Sequence, residues 1–196
     1  MSVILASKSA ARRAVLDGAA VAYEAVVAGV DEDAVKVEML ANGAGPRDVA
    51  EALAERKALV VSLARTGLVI GADQTLDLDG TLYDKAPDLQ SAATRLKVLR
   101  GKTHRLHSAV VVARDGIPIW REVVTATLTM RDFSDAFLET YLATEGEAAL
   151  GSVGCYRLEG PGAQLFSKIE GDYFAILGLP LMGLLDLLRQ HGEIPA

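Results

Sequence analysis

Two short apolar runs, Val3 to Ala6 and Leu68 to Gly71, each end abruptly in polar residues, and segments with helical spacing lie around them. The first run gives way to Ser-Lys-Ser and then to a helical stretch from about Ala10 to Leu16, which reads as strand, polar loop and helix. Asp79-Gly80 and Asp115-Gly116 are dipeptides favoured in two-residue hairpin turns, whose central residues need positive φ. The second joins the β-prone segment Ala109 to Ala113 to Ile117 to Met130. Asn42-Gly43-Ala44-Gly45-Pro46 reads as a loop, because Pro46 suits a first helical turn and Arg47 to Arg65 continue without Gly or Pro. Val49, Leu53, Val60 and Ala64 are expected to form the apolar face of that helix. Leu89 to Leu99, Asp135 to Ala143 and Leu181 to Gln190 are helical by pattern. Helices alternating with strands, with hairpins added, predict an α/β fold: a mixed twisted sheet flanked by helices, with ligands beyond strand ends.

At 196 residues the chain is expected to form one domain over 1–196, and no repeat, low-complexity tract or linker marks a boundary. Apolar residues at 51% against 23% charged supply a sizeable core and exclude pervasive disorder. The net charge of −6 argues against non-specific binding to nucleic acid or anionic membrane, so an anionic substrate needs locally clustered cations. Cys155 is the only cysteine, which rules out an intrachain disulfide or a thiolate metal cluster within one chain and suits a reducing cytoplasm. The longest uncharged stretch, Tyr173 to Leu185, is too short to span a bilayer. Lys8, Arg12 and Arg13 follow the apolar start, the reverse of a signal peptide's charge order, and no targeting segment is expected.

Three segments could carry chemistry. In Leu5-Ala6-Ser7-Lys8-Ser9-Ala10-Ala11-Arg12-Arg13 a strand feeds a helix start through two hydroxyls and three cations, a setting that suits phosphate; equally, Ser9 caps a helix bearing exposed basic residues. Asp73, just after Leu68 to Ile70, stands at a strand end where a carboxylate can hold a divalent cation or take a proton from water, or it caps a turn. Asp31-Glu32-Asp33 offers oxygen ligands for magnesium, or simply the acidic first turn of a helix.

Two lysines complete the set. Lys57 falls near the apolar face of its helix, which is unusual for a charge unless it points into a cleft. Lys85 lies on a loop before Pro87. His104 and His107 are three apart in a β-prone segment, so they face opposite sides and cannot share one ion. No nucleophile-elbow sequence supports a hydrolase triad, and Cys155 is expected as a small core residue.

Taken in order, these segments resemble the Maf family of nucleoside triphosphate pyrophosphatases over nearly the whole chain. Leu5-Ala6-Ser7-Lys8-Ser9 with Arg12 matches its opening motif, Asp31-Glu32 its acidic pair, Glu55-Arg56-Lys57-Ala58 its helical lysine motif and Gly71-Ala72-Asp73 its strand end. Lys85, Leu99-Arg100-Gly101-Lys102-Thr103-His104, and Ile169-Glu170-Gly171-Asp172-Tyr173 with Gly178-Leu179-Pro180-Leu181 follow in the family's order. The resemblance implies a Maf-like, ITPase-like architecture with a central cleft. It also implies metal-dependent hydrolysis between the α and β phosphates, releasing a nucleoside monophosphate and pyrophosphate. Asp73 is then the general base or activator of water, Glu32 and Asp73 the metal carboxylates for Mg2+ or Mn2+, and Ser7, Arg12, Lys57 and Lys85 the phosphate contacts. A homodimer is implied as well; Leu179 to Leu188 could supply an apolar face for it, or could be a core helix.

Departures from the family pattern bear on the base. Ser-Pro-Arg-Arg is here Ser9-Ala10-Ala11-Arg12, and Lys-Pro is Lys85-Ala86 with the proline displaced to Pro87. At the three positions that separate the branches the chain has Ala11, Gln74 and Glu159; the last two agree with the branch acting on 7-methyl-GTP. A glutamate suits the two donors of a guanine edge and the positive charge that N7 methylation adds, whereas Ala11 removes an aromatic plate for stacking. The rival readings are the same reaction on dTTP, UTP or CTP, and a non-catalytic nucleotide-binding protein linked to septum formation. Removal of modified nucleotides before incorporation is the cellular role that the resemblance implies.

Overall fold

In the computed structural model, which describes residues 2–196, the elements follow one another as β1 (Val3–Leu5), α1 (Ala10–Gly18), β2 (Glu24–Ala25), α2 (Glu32–Ala41), α3 (Pro46–Ser62), β3 (Leu68–Leu78), β4 (Thr81–Tyr83), α4 (Leu89–Leu99), β5 (Thr103–Arg114), β6 (Ile117–Met130), α5 (Asp135–Glu145), β7 (Phe166–Glu170), α6 (Tyr173–Ile176) and α7 (Leu181–Gln190). Two short 3-10 helices, Gly146–Gly151 and Pro161–Leu165, lie between α5 and β7. The strands form one mixed sheet in the order β2-β1-β3-β5-β6-β7, with β4 against the far end of β3. β1 is parallel to β2 and β3, and every other pair is antiparallel.

Both Asp-Gly turns are tight hairpins. Asp79 and Gly80 have φ of 54° and 83°, and Asp115 and Gly116 have 52° and 76°, the left-handed pair that a twisted two-residue hairpin requires. The strand expected to stop at Gly71 runs on to Leu78, because its polar residues alternate rather than end it. Asp73, Thr75 and Asp77 share the face of Val69 and Gly71, while Leu76 and Leu78 continue the apolar face of Leu68 and Ile70. The register against β5 is unbroken from Val69 opposite Ala113 to Asp77 opposite Arg105.

One face of the sheet carries α3. Its buried stripe is Val49, Ala50, Leu53, Ala54, Lys57, Ala58 and Val61. Val60, expected on that face, is 42% exposed, and Ala64 lies beyond the helix end and is exposed. The reason is Gly71: a Cβ there would overlap the Ala54 carbonyl oxygen and the Ala58 nitrogen and come within 2.9 Å of the Ala58 Cβ. Helix and strand approach so closely that only the alanine side of α3 fits.

The opposite face holds two apolar clusters. Leu68, Ile70, Ala72, Val110 and Val112 pack with Leu16 of α1 and with Leu181, Leu184, Leu187 and Leu188, so α7 is a core helix. Farther along, Leu76, Leu106 and Leu128 pack with Leu96 and Leu99 of α4, Leu138 of α5, and Tyr156. Cys155 is buried in this second cluster, and burial pushes its thiol pKa up, as befits a core residue. Polar Gln74 and Ser108 sit opposite each other between the two clusters.

β1 pairs with β3 only as far as Ile70, and β4 begins to pair with it at Leu76. On that edge, Gly71 to Thr75 have no strand neighbour. The gap is where a cleft opens.

Candidate active site

The cleft has a volume of about 1180 Å³ and is lined by Ser7, Ala11, Arg12, Glu32, Lys57, Asp73, Gln74, Lys85 and Glu159 among others. These nine residues therefore face one space, although they come from the loop before α1 and its first turn, from α2, α3 and β3, from the loop after β4 and from the segment before β7.

Lys57 and Asp73 form its floor. The close packing of α3 on Gly71 brings Lys57 Nζ to 2.6 Å from Asp73 Oδ1, and both residues are more than nine-tenths buried. The same ammonium lies 2.9 Å from Glu32 Oε1 on α2. One cation thus holds two carboxylates that would otherwise repel. Burial works against ionisation of Glu32, but its hydrogen bond to Lys57 and the charges of Lys57, Lys36 and Arg12 outweigh it and hold the carboxyl below the usual range.

Arg12 is buried beside them. Its Nε donates to the Gly178 carbonyl oxygen at 2.8 Å and its Nη1 to Ser7 Oγ at 3.2 Å, and Ser7 Oγ also accepts from the Ser9 N–H. Burial lowers the Arg12 pKa, while Asp73 and Glu32 act in the opposite direction. Ser9 caps α1 by accepting from the Arg12 N–H, as the capping reading has it, and the same loop lines the cleft. Lys85 reaches the cleft from its loop; desolvation and the neighbouring Arg12 lower its pKa, partly offset by Asp73 and Glu32. Asp31 caps α2 and Asp33 sits in its first turn, which leaves Glu32 as the member of that acidic run paired with Lys57.

Gln74 is engaged by the protein itself. Its Nε2 lies 2.8 Å from Ser108 Oγ and 3.0 Å from both the Ala175 and Ile176 carbonyl oxygens, and Ser108 Oγ donates to Ala175 O at 2.6 Å. This network anchors the segment that leads to Gly178 and hence to Arg12. Glu159 lines the cleft but is exposed, beside Arg157, whose guanidinium is paired with the buried Glu145. His104 and His107 face opposite sides: His104 Nε2 meets Tyr156 OH at 2.7 Å, while His107 meets Asp77 and Thr125.

Sequence reasoning missed Lys36, Asp84 and the Gly178 carbonyl. Lys36 is four residues after Glu32 and so on the same helical face, which was a legible signal. A backbone carbonyl carries none.

The Maf-like protein family matches residues 2–191 of the chain. A nucleoside triphosphate pyrophosphatase of Caulobacter vibrioides is 64% identical over 192 residues, covering 98% of this chain and 96% of that protein. One of Granulibacter bethesdensis is 54% identical, covering 97% and 98%. A 7-methyl-GTP pyrophosphatase of Rhizobium meliloti is 50% identical over 195 residues, covering 99% and 98%. No helix among the described residues is long and apolar enough to cross a membrane. With a match over nearly its whole length, relatives of half to two-thirds identity and a cleft that gathers the family's motif residues, the chain belongs to the Maf family.

Proposed function

We propose that the protein hydrolyses a nucleoside triphosphate between the α and β phosphates, releasing a nucleoside monophosphate and pyrophosphate, and that its substrate is a methylated guanine nucleotide, 7-methyl-GTP. The observation that carries the reaction is the trio Glu32, Lys57 and Asp73, two carboxylates sharing one buried ammonium, with Arg12 and Lys85 in the same cleft. The names borne by the relatives support it.

In this reading Asp73 orients a water and takes its proton, and Lys57 fixes the carboxylate that does so. Ser7, Arg12 and Lys85 bind the phosphates, where preorganised donors offset charge that develops on the phosphoryl oxygens and on the departing pyrophosphate. Magnesium commonly takes one or two protein carboxylates and fills its shell with water and phosphate oxygens. The donor set fits, because the Glu32 and Asp73 carboxylates converge on one point of the cleft. Glu32 and Asp73 would hold Mg2+ or Mn2+, which when bound supplies positive charge to the phosphoryl oxygens.

Glu159, exposed at the base end, accepts from the N1–H and 2-amino group of guanine and favours a cationic ring. Ala11, which also lines the cleft, offers the base no aromatic plate, and Gln74 acts through the segment it anchors. Product analysis after incubation with magnesium or manganese and, separately, 7-methyl-GTP, GTP, dTTP, UTP and CTP tests both parts. Pyrophosphate and a monophosphate from 7-methyl-GTP, lost at least a hundredfold in Asp73→Asn, is the expected result, with Glu159→Gln shifting preference toward pyrimidines. Orthophosphate alone, or turnover indifferent to Asp73, would refute the reaction; preference for a pyrimidine in the native protein would refute the substrate.

A further inference from the structure

Helix α2 carries Glu32 yet buries none of its residues, and Val37 on its outer side is 69% exposed. Its only half-buried apolar residues are Val35 and Met39, so little apolar packing sets its rotation. Gly29 before it and Gly43 after it have φ of 66° and 79°, so both flanks bend at left-handed residues. Besides Glu32 to Lys57, one strong polar contact crosses from this helix to the other side of the cleft: Lys36 Nζ lies 2.7 Å from Asp84 Oδ1, and 3.3 Å from Asp33 Oδ1 on its own helix. The Lys36 side chain is only 15% exposed.

Asp84 directly precedes Lys85, and its position is braced from behind. Its carbonyl oxygen accepts from Arg95 Nη1, which also donates to the Val153 carbonyl at 2.8 Å, and the guanidinium lies 4.8 Å from the centre of the Tyr83 ring. Asp84 is therefore a fixed post, and Lys36, one helical turn on from Glu32, ties α2 to it.

We propose that Lys36 and Asp84 form a latch across the mouth of the cleft, and that Lys36 is a positioning residue that holds Glu32 and Lys85 in place for the triphosphate. The second half rests on the reaction proposed above. The first does not, since the latch exists without nucleotide. Burial lowers the Lys36 pKa, but Asp84 and Asp33 more than compensate and raise it.

Amide hydrogen exchange of residues 32–41 in the nucleotide-free protein tests the latch, on Lys36→Met, Asp84→Asn, the double variant and Lys36→Arg. Each single neutral variant is expected to speed exchange about fivefold, the ratio that corresponds to about 1 kcal/mol for an ion pair of this exposure. The double variant should match the singles rather than multiply them, and Lys36→Arg should restore most of the protection. In steady-state assays on the same proteins, KM and the magnesium concentration for half-maximal rate should rise about two- to fivefold while kcat stays within about twofold. Unchanged exchange in the singles, or multiplied effects in the double, overturns the latch. Faster exchange with KM and magnesium demand unmoved overturns the positioning role. A native protein that releases no pyrophosphate from any triphosphate overturns the proposed reaction, while exchange still decides the latch.

Discussion

The two sides of the cleft are held by different forces. On the floor, Lys57 and Asp73 project from α3 and β3, which meet through Gly71, Ala54 and Ala58 with no room for one more methyl group. At the mouth, Glu32 and Lys85 project from a helix with no buried residue and from an exposed loop, joined by Lys36 and Asp84. Packing fixes separations rigidly because interiors are dense; ion pairs at partial exposure are weak and can yield. Lys57 and Asp73 are set by backbone contact, whereas Glu32 and Lys85 are tied by charge.

The widest separation between the two sides should come from Gly71→Val. The added carbons fall on the backbone of α3, so a loss of about 3 kcal/mol in urea unfolding is expected, together with loss of activity from a displaced Lys57. A stable, active variant would show that the floor is not set by this contact.

The core behind the cleft, where His104 meets the cleft-lining Tyr156, should respond to acid. Burial holds His104 neutral and pushes its pKa down to about 4 from 6.5. The unfolded chain then binds the extra proton between those values, so the stabilisation is complete above about pH 6.5 and is lost as pH falls toward 4. Urea unfolding should report about 2 kcal/mol less stability at pH 5 than at pH 7 from this group, a difference that His104→Gln removes. At the other extreme, Val37→Ala on the outer side of α2 should change unfolding free energy by no more than about 0.5 kcal/mol. A larger loss would mean that Val37 is packed rather than solvent-facing.

Much of this was readable from the chain because it is written in local pattern. The Asp-Gly turns, the bounds of Leu89–Leu99 and Leu181–Gln190, and a charge at Lys57 amid apolar spacing all have causes within a few residues. What escaped depends on distant partners. β3 looked short because Asp73, Thr75 and Asp77 interrupt its hydrophobicity, yet their alternation was that of a strand with one polar face. The buried side of α3 was misjudged because alanine carries little hydrophobic signal, and only the glycine on the facing strand makes it the better choice. Among the site residues, carboxylates and cations at motif positions stood out, whereas the work of Gln74 and Arg12 depends on carbonyl oxygens of Ala175, Ile176 and Gly178, far along the chain.

That last dependence fixes an order of events as the protein is made. The β5–β6 hairpin closes over two residues, but β1 finds β3 only across 65 positions, from Val3 to Leu68, and Arg12 finds its acceptor across 166. Long closures are slow because chain entropy is lost before contacts reward it. The hairpin can therefore form while synthesis continues, but the Arg12 side of the cleft cannot be completed until Gly178 has left the ribosome. Chains that end before Ala175 hold the strands and the Glu32, Lys57 and Asp73 trio but lack the carbonyl acceptors of Gln74 and Arg12.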